Sequence, residues 1–512
     1  MREDTFRFAP TALSLLVAAV TAFLVTPLVR DFARARGWMD RPDGGRKLHL
    51  TPVPRLGGVA VLCAFAAAGL TLAALESLGI WAGSISSGAY IRLLIAGAAV
   101  TAVGVVDDIY DVRPLVKVVV QALAALYLYV NGYQITAISN PVTGESLSLG
   151  ILSAPLTVIW FVGMSNAFNL IDGLDGLAAG IGLFSTSTLF IACVLNERWE
   201  TAIIAAALGG ALLGFLRYNF TPASVFLGDS GALFVGFALA AVALRGSMKS
   251  SAVIAVAAPL MALAVPILDA SIAVFRRLVR GDDVFRADGD HIHHRLLRMG
   301  LTPRRVVVTL YAVAAGFGAL SLLTMSDRGQ VVGMVVIASS VVTWIGVQQL
   351  GYAEFAEIQR TLRYGFGNER RAIGNNVYLA SLSQHFAESR TLQELRGNLI
   401  EAGSKLDFDR LEIVFDDSYS ACRAAFPPWR APESSLEEEP TSTWKIPLAL
   451  DQRSGATLIL TRSLQAQAKF EPTYFLHAIQ DGFAPRLRSL AEGLDAPAGR
   501  RDTSAAPVAR GV

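Results

Sequence analysis

The chain has 512 residues, 53% of them hydrophobic and only 17% charged, with a formal net charge of +2 and a mean hydropathy of +0.47. Soluble domains carry about a quarter charged residues, so these numbers argue for a membrane protein; the net charge says little about partners because the charges are unevenly distributed, and no nucleic-acid partner is expected. The three cysteines, Cys63, Cys193 and Cys422, show neither a pairing pattern nor metal-ligand spacing, which argues against a disulfide framework and a structural zinc site.

A helix needs about 20 mainly apolar residues to cross the hydrocarbon core. Eleven runs meet or approach that length: 10–30, 56–77, 89–106, 115–131, 151–165, 177–195, 201–217, 231–245, 251–275, 305–325 and 330–350. The first follows Glu3 and Asp4 and precedes a basic cluster, the reverse of a cleaved signal, and so reads as a span. Gly209, Gly210 and Gly214 inside the seventh run predict close helix approach. Lys and Arg concentrate in the gaps 31–55 and 276–305 and are sparse in gaps of the other parity, with Arg245 and Lys249 a mild exception. An all-α polytopic membrane protein of about eleven transmembrane helices follows, its N-terminus periplasmic and its C-terminus cytoplasmic.

After Leu350 the composition becomes that of a soluble chain. Apolar spacing predicts helix over 371–403, strands at 411–415, 444–450 and 456–461, and a closing helix over 472–490. The predicted organisation is thus a transmembrane domain (1–350), a small cytoplasmic α+β domain (351–490) whose strand–strand–helix ending is GAF-like, and a disordered tail (491–512) rich in Ala, Pro and Arg.

Four polar clusters fall on gaps of one parity, and ionisable groups at a membrane face need a reason because their burial in lipid is costly. Asp107, Asp108 and Asp111 spell DDxxD; if the third helix runs through them, Asp107 and Asp111 share a face, a spacing suited to Mg²⁺ or to a carboxylate accepting a proton. A solvated helix end beside Arg113 and Lys117 is the plainer account. Asn166, Asn169, Asp172 and Asp175 recur every third residue as a polar stripe, and Gly173, Gly176 and Gly180 leave room for a ligand or a neighbouring backbone; Asp-Gly pairs also simply make turns. In FLGDSG, Asp229 stands at the mouth of the eighth span, where it reads as an N-cap, a metal ligand or both. His291, His293 and His294 crowd next to Arg295, a set suited to a diphosphate rather than to zinc. Lys47, His49 and Arg55 form a second basic cluster, and positive-inside topology explains the arginines of both better than the histidines.

These clusters, in this order (RKLHLTPVPRLGG, DDIYDVRPLVK, NAFNLIDGLDGLAAG, FLGDSG, DHIHHR), resemble the polyprenyl-phosphate N-acetylhexosamine-1-phosphate transferases over about residues 10–350. HLTPVPRLGG and the HIHHR form look like the branch using UDP-N-acetylglucosamine, with the phospho-N-acetylmuramoyl-pentapeptide transferase branch as the alternative. The resemblance implies that a polyprenyl (undecaprenyl) phosphate attacks the β-phosphorus of a UDP-HexNAc, releasing UMP and starting a lipid-linked glycan such as a cell-wall polymer or O-antigen. It implies the following roles: Asn169 and Asp229 as ligands of Mg²⁺ (or Mn²⁺), Asp107 and Asp108 orienting or deprotonating the lipid phosphate, and Lys117 contacting phosphate. Asn166, Asp172 and Asp175 would line the nucleotide-sugar pocket, while Lys47, His49, Arg55, His291, His293, His294 and Arg295 would hold substrate phosphates. It places the protein in the bacterial cytoplasmic (inner) membrane with the site facing the cytoplasm, and allows a homodimer.

Three other readings fit less well. A DDxxD prenyltransferase needs a second motif of the same kind, CDP-alcohol phosphotransferases need an arginine that DGLDGLAAG lacks, and a transporter predicts charges at mid-membrane rather than at span ends.

Overall fold

The computed structural model describes residues 2–40, 52–80, 87–139, 146–246, 260–280, 291–324, 329–350, 370–406, 408–416, 420–431, 441–450, 455–463 and 472–495. The chain divides into two compact units, Met1–Phe275 with Phe285–Leu350, and Arg276–Val284 with Gly351–Val512.

The first unit is a bundle of apolar helices: α1 (Arg2–Arg36), α2 (Gly57–Ser77), α3 (Gly88–Tyr110), α4 (Pro114–Val130), α5 (Ser153–Ile171), α6 (Leu177–Leu195), α7 (Trp199–Asn219) and α8 (Gly228–Gly246), followed by Ala264–Arg280, the short Ile292–Arg298, Pro303–Leu323 and Gly329–Gln349. Among the described residues, nine helices are long and apolar enough to cross a membrane, which makes this a multi-pass membrane protein. Two of the eleven predicted spans are not among the nine. One is α4, whose 17 residues reach about 25 Å at 1.5 Å per residue. The other is 251–275, whose residues 251–259 lie outside the described residues and whose helix runs on from Ala264 to Arg280.

Close packing rests on small residues, because lipid gives helices no hydrophobic reason to associate. A Cβ on Gly210 would stand 2.3 Å from the Leu15 carbonyl oxygen, and one on Gly214 would stand 2.3 Å from that of Ala19. This small-residue seam joins α7 to α1 backbone to backbone. Gly209 faces the Thr186 methyl on α6 at ordinary contact distance instead. Helices α7 and α8 are the most enclosed, while large apolar side chains on α1, such as Leu16, Leu24 and Leu28, face outward where lipid would meet them. Between α4 and α5 a two-stranded hairpin pairs Ala137–Ser139 with Ser146–Ser148.

The second unit holds a four-stranded antiparallel sheet, in spatial order Trp429–Arg430, Arg410–Phe415, Gly455–Ser463, Thr441–Ala449. Leu411, Ile413 and Phe415 are buried on alternate positions, the period-two pattern that marks a one-sided strand. They share a core with Leu379, Leu382 and Phe386 of the helix Arg370–Glu388. The helix predicted over 371–403 is two helices, because Thr391 caps the second, Leu392–Lys405, by accepting the Glu394 N–H. The closing helix widens into a π turn over Ala478–Phe483 and runs on to Asp495. Residues 491–495 are therefore helical, with Ala491 buried, and not part of a disordered tail; the remainder of that tail lies outside the described residues.

Candidate active site

The ends of α3, α5 and α7 and the beginnings of α4, α6 and α8 lie at one face of the bundle, and the site is built there. Helix α3 stops at Tyr110 because Asp111 adopts φ 58°, and the Val112 N–H turns back to Asp107 Oδ1 at 2.7 Å. Asp111 is thus exposed beyond the helix, and the expectation that it shares a face with Asp107 does not hold. Pro114 opens α4 immediately afterwards, and its first turn carries Lys117 back over the end of α3.

Lys117 Nζ donates to Asp107 Oδ2 at 2.9 Å and to Asp229 Oδ2 at 2.8 Å. The three side chains are 14%, 11% and 27% exposed, so little water screens them. Asn169, on the last turn of α5, donates its amide to the same Asp229 oxygen at 3.1 Å. One ammonium and one amide therefore tie the ends of α3 and α5 and the beginning of α4 to the beginning of α8.

The N-cap that the sequence suggested for Asp229 is supplied by Asp108. Its two carboxylate oxygens accept the N–H groups of Asp229 (2.9 Å) and Ser230 (3.1 Å) at the start of α8. With its backbone capped from α3, Asp229 keeps its side chain for Lys117 and Asn169. Both Asp108 oxygens thus hold the entry to α8, whatever else the carboxylate does. The surrounding glycines make this approach possible. Gly228 has φ +71° with the Asp108 carboxylate against its Cα, while a Cβ on Gly58 would lie 2.0 Å from Gly231 N and one on Gly104 would lie 2.5 Å from Ser230 Cα. Gly57 and Gly58 also donate their N–H groups to the Phe226 and Leu227 carbonyls, so the LGG sequence cradles FLGDSG.

The predicted polar stripe splits at Ile171, where α5 ends. Asn166 is committed elsewhere: its amide donates to Gln121 Oε1 at 2.7 Å and to the Val162 carbonyl, so it joins α5 to α4 instead of facing the Asp229 cluster. Asp172 caps the helix end and lies among Asp229, Asp108 and Asp175; desolvation of its carboxyl, and then those three charges, hold it well above the usual carboxylate range against the Gly228 N–H. Asp175 accepts the Ala223 N–H at 2.8 Å and anchors the loop that leads into α8. The room left by Gly173 and Gly180 is taken by side chains and not by a neighbouring backbone. His293 Nε2 lies where a Gly173 Cβ would be, and the Tyr311 hydroxyl fills the space over Gly180 while donating to the Gly176 carbonyl.

The histidines form a row beside this turn. The His291 and His293 rings are parallel with centroids 5.9 Å apart, and His294 follows at 4.3 Å from His293. His293 is 2% exposed, and among the described residues its Nε2 has no hydrogen-bond partner. Burial, then the neighbouring His294, lowers its pKa to about 3 against the pull of Asp269. Arg295 donates to the Leu350 carbonyl. Arg55 pairs with Asp40 across the short ladder of Met39–Asp40 with Val53–Pro54. Lys47 and His49 lie outside the described residues.

Sequence reasoning missed Asp269, Gln121 and Tyr311. The first two had a signal, since Asp269 is the one charged residue inside the predicted span 251–275 and Gln121 is a polar amide well inside the span 115–131; Tyr311 had none.

No cluster of three or more His, Cys, Asp or Glu side chains able to hold a metal occurs among the described residues. The oxygen donors present are of another kind: the Asp107 and Asp229 carboxylates with the Asn169 amide. Hard divalent cations that keep water and substrate phosphates as their other ligands need only one or two carboxylates. Asp107 and Asp229 share one ammonium, and the Asp108 and Asp172 carboxyls act on one another and on Asp229, so the donor set fits a second cation.

The glycosyl transferase family 4 profile matches residues 90–247, the stretch from α3 through α8. A "Probable undecaprenyl-phosphate N-acetylglucosaminyl 1-phosphate transferase" of Bacillus subtilis (strain 168) is 33% identical over 325 residues, covering 62% of this chain and 86% of the relative. The chain belongs to glycosyl transferase family 4. Within the family, a decaprenyl-phosphate N-acetylglucosaminephosphotransferase of Mycobacterium leprae (strain TN) is 34% identical over 355 residues, covering 65% of this chain and 88% of the relative. A phospho-N-acetylmuramoyl-pentapeptide-transferase of Halalkalibacterium halodurans is 30% identical over 324 residues, 60% of this chain and 96% of the relative. The family match takes in Asp107, Asp108, Lys117, Asn169, Asp172 and Asp229 together.

Proposed function

We propose that this family 4 enzyme transfers N-acetylglucosamine 1-phosphate from its UDP-sugar to a polyprenyl phosphate. An oxygen of the lipid phosphate attacks the β-phosphorus of the UDP-sugar, the bond from that phosphorus to the α-phosphate oxygen breaks, and UMP leaves. The sugar stays in the membrane on a polyprenyl diphosphate. The observation that carries this reading is Lys117 set between Asp107 and Asp229 at the mouth of the bundle. A water-soluble nucleotide and a lipid phosphate can meet only at such a place, and phosphoryl transfer needs cations around the moving group. The relatives' names favour the N-acetylglucosamine donor over the muramoyl-pentapeptide one.

Lys117 is the chain's own cation for the transferring phosphate, and Asp107 orients the attacking lipid phosphate through it. Asp108 and Asp175 act by holding the α8 entry and its loop. His294 and Arg295 lie where a diphosphate would approach the turn at Gly173, with the His291 and His293 rings stacked beside them. Mg²⁺, with Mn²⁺ as a substitute, would be held by Asp229 and Asn169 and would neutralise charge on the phosphates. Eleven spans with the N-terminus periplasmic would turn this face to the cytoplasm, where the basic gaps 31–55 and 276–305 belong.

The test is UMP release by the purified protein given UDP-N-acetylglucosamine, undecaprenyl phosphate and Mg²⁺, with EDTA and lipid-free controls. Release that requires both lipid and metal is expected. Release without lipid would make the protein a nucleotide-sugar hydrolase, and no release with any UDP-HexNAc would remove the reading.

A further inference from the structure

Asp269 is 2% exposed and is the one charged residue in the first half of the helix Ala264–Arg280. A carboxylate so deeply enclosed persists only when both oxygens are used. One oxygen meets His291 Nδ1 at 2.9 Å, and the other accepts the Ile292 N–H at 2.8 Å, where the short helix bearing His293, His294 and Arg295 begins. His291 is itself only 5% exposed, and among the described residues its Nε2 makes no hydrogen bond. A carboxylate beside Nδ1 keeps the ring proton on that nitrogen, so Nε2 presents a lone pair; the Asp–His pair of hydrolytic triads works by the same rule.

We infer that Asp269 is a positioning residue that fixes the ring orientation and tautomer of His291, and through the Ile292 N–H sets the whole histidine row against the Gly173 turn. The inference rests on the proposed transferase reading for its effect on turnover, but not for its effect on the imidazole. Among the described residues, Asp269 is the carboxylate within hydrogen-bonding distance of His291.

Asp269→Asn separates the two tasks. The amide oxygen still accepts the Ile292 N–H, but the NH₂ now faces Nδ1 and drives the ring proton to Nε2. The expected result is a kcat at least 100-fold lower, with KM for the UDP-sugar within threefold and folded yield unchanged. Asp269→Glu, which restores the carboxylate, should recover at least tenfold over Asn. In a His291→Gln background, adding Asp269→Asn should cost less than threefold, because the aspartate acts through the histidine. A kcat per folded molecule within threefold of wild type for Asp269→Asn overturns the inference, whether or not yield falls, and so does an additive loss in the double variant. Nitrogen-15 histidine NMR, with His291 assigned by its disappearance in His291→Gln, reads the tautomer without turnover. Nδ1–H in the wild type and Nε2–H in Asp269→Asn are expected, and Nε2–H in both overturns the inference. Absence of UMP release by the wild type would count against the transferase reading alone.

Discussion

Asp108 caps the helix that contains Asp229: its Oδ1 accepts the Asp229 N–H at 2.9 Å across 121 residues of sequence. Two acids that read alike in the sequence thus divide the labour, one holding backbone and the other facing the ammonium of Lys117. In Asp108→Asn the amide has one acceptor for two N–H groups, and its NH₂ opposes the other. A buried donor left unmet costs about 1–3 kcal/mol, so the melting midpoint should fall while Asp108→Glu retains more of it. An unchanged midpoint in the Asn variant would show that the cap contributes nothing.

Removing the charge at Lys117 leaves Asp107 and Asp229 facing one another with nothing between them. Breaking a buried pair in this way costs about 3–5 kcal/mol. Lys117→Met should insert in the membrane, melt earlier, and release UMP at less than about one-hundredth of the wild-type rate. Activity within tenfold of wild type would dismiss Lys117 from the phosphate site.

Gly58→Ala puts a methyl group 2.0 Å from Gly231 N, with backbone on the receiving side and therefore nothing flexible to yield. Overpacking of this kind costs about 1–3 kcal/mol or more. The expected outcome is a lower midpoint and loss of UMP release together, since the Gly231 segment carries Asp229. Gly163→Ala, which meets nothing within 4 Å, is the control and should behave as wild type. Equal behaviour of the two variants would contradict the tight seating of FLGDSG.

His293 sets a pH dependence whose sign can be worked out. Its pKa in the folded protein is about 3 against an ordinary 6.5, so the unfolded chain binds the proton more readily. The stability tied to keeping it neutral is present above about pH 6.5 and is lost as pH falls toward 3. Melting midpoints of the wild type should therefore drop between about pH 7 and pH 5, and His293→Gln should flatten that slope. A steeper slope in the variant would assign the acid sensitivity to other groups.

How much of this could be read beforehand differs from residue to residue. The hydrophobic runs and the order of the motifs placed α2, α3, α5 and α8 well, because lipid demands long apolar stretches and polar groups collect at their ends. What a one-dimensional pattern lacks is the identity of the partner helix. Asp107 and Asp108 are neighbours in sequence but point about 100° apart on a helix, and only the arrival of α4 on one side and α8 on the other decides which meets Lys117 and which caps. Asn166 and Asn169 share a face, yet a single turn separates the Gln121 contact from the Asp229 contact. Asp269 was hidden for the opposite reason: its partner His291 lies 22 residues on, at the start of another helix, and no spacing rule links the two.

The seam of Gly210 and Gly214 on α1 also carries a consequence for biogenesis. Leu15 and Gly210 are 195 positions apart, and at about 5–20 residues per second of synthesis α1 spends roughly 10–40 s in the bilayer before its backbone partner exists. During that interval α2, which also packs against α1, is already made, while the Leu15–Ala19 backbone seam waits for α7. The seam between first and seventh helix thus closes only after five intervening helices have been made.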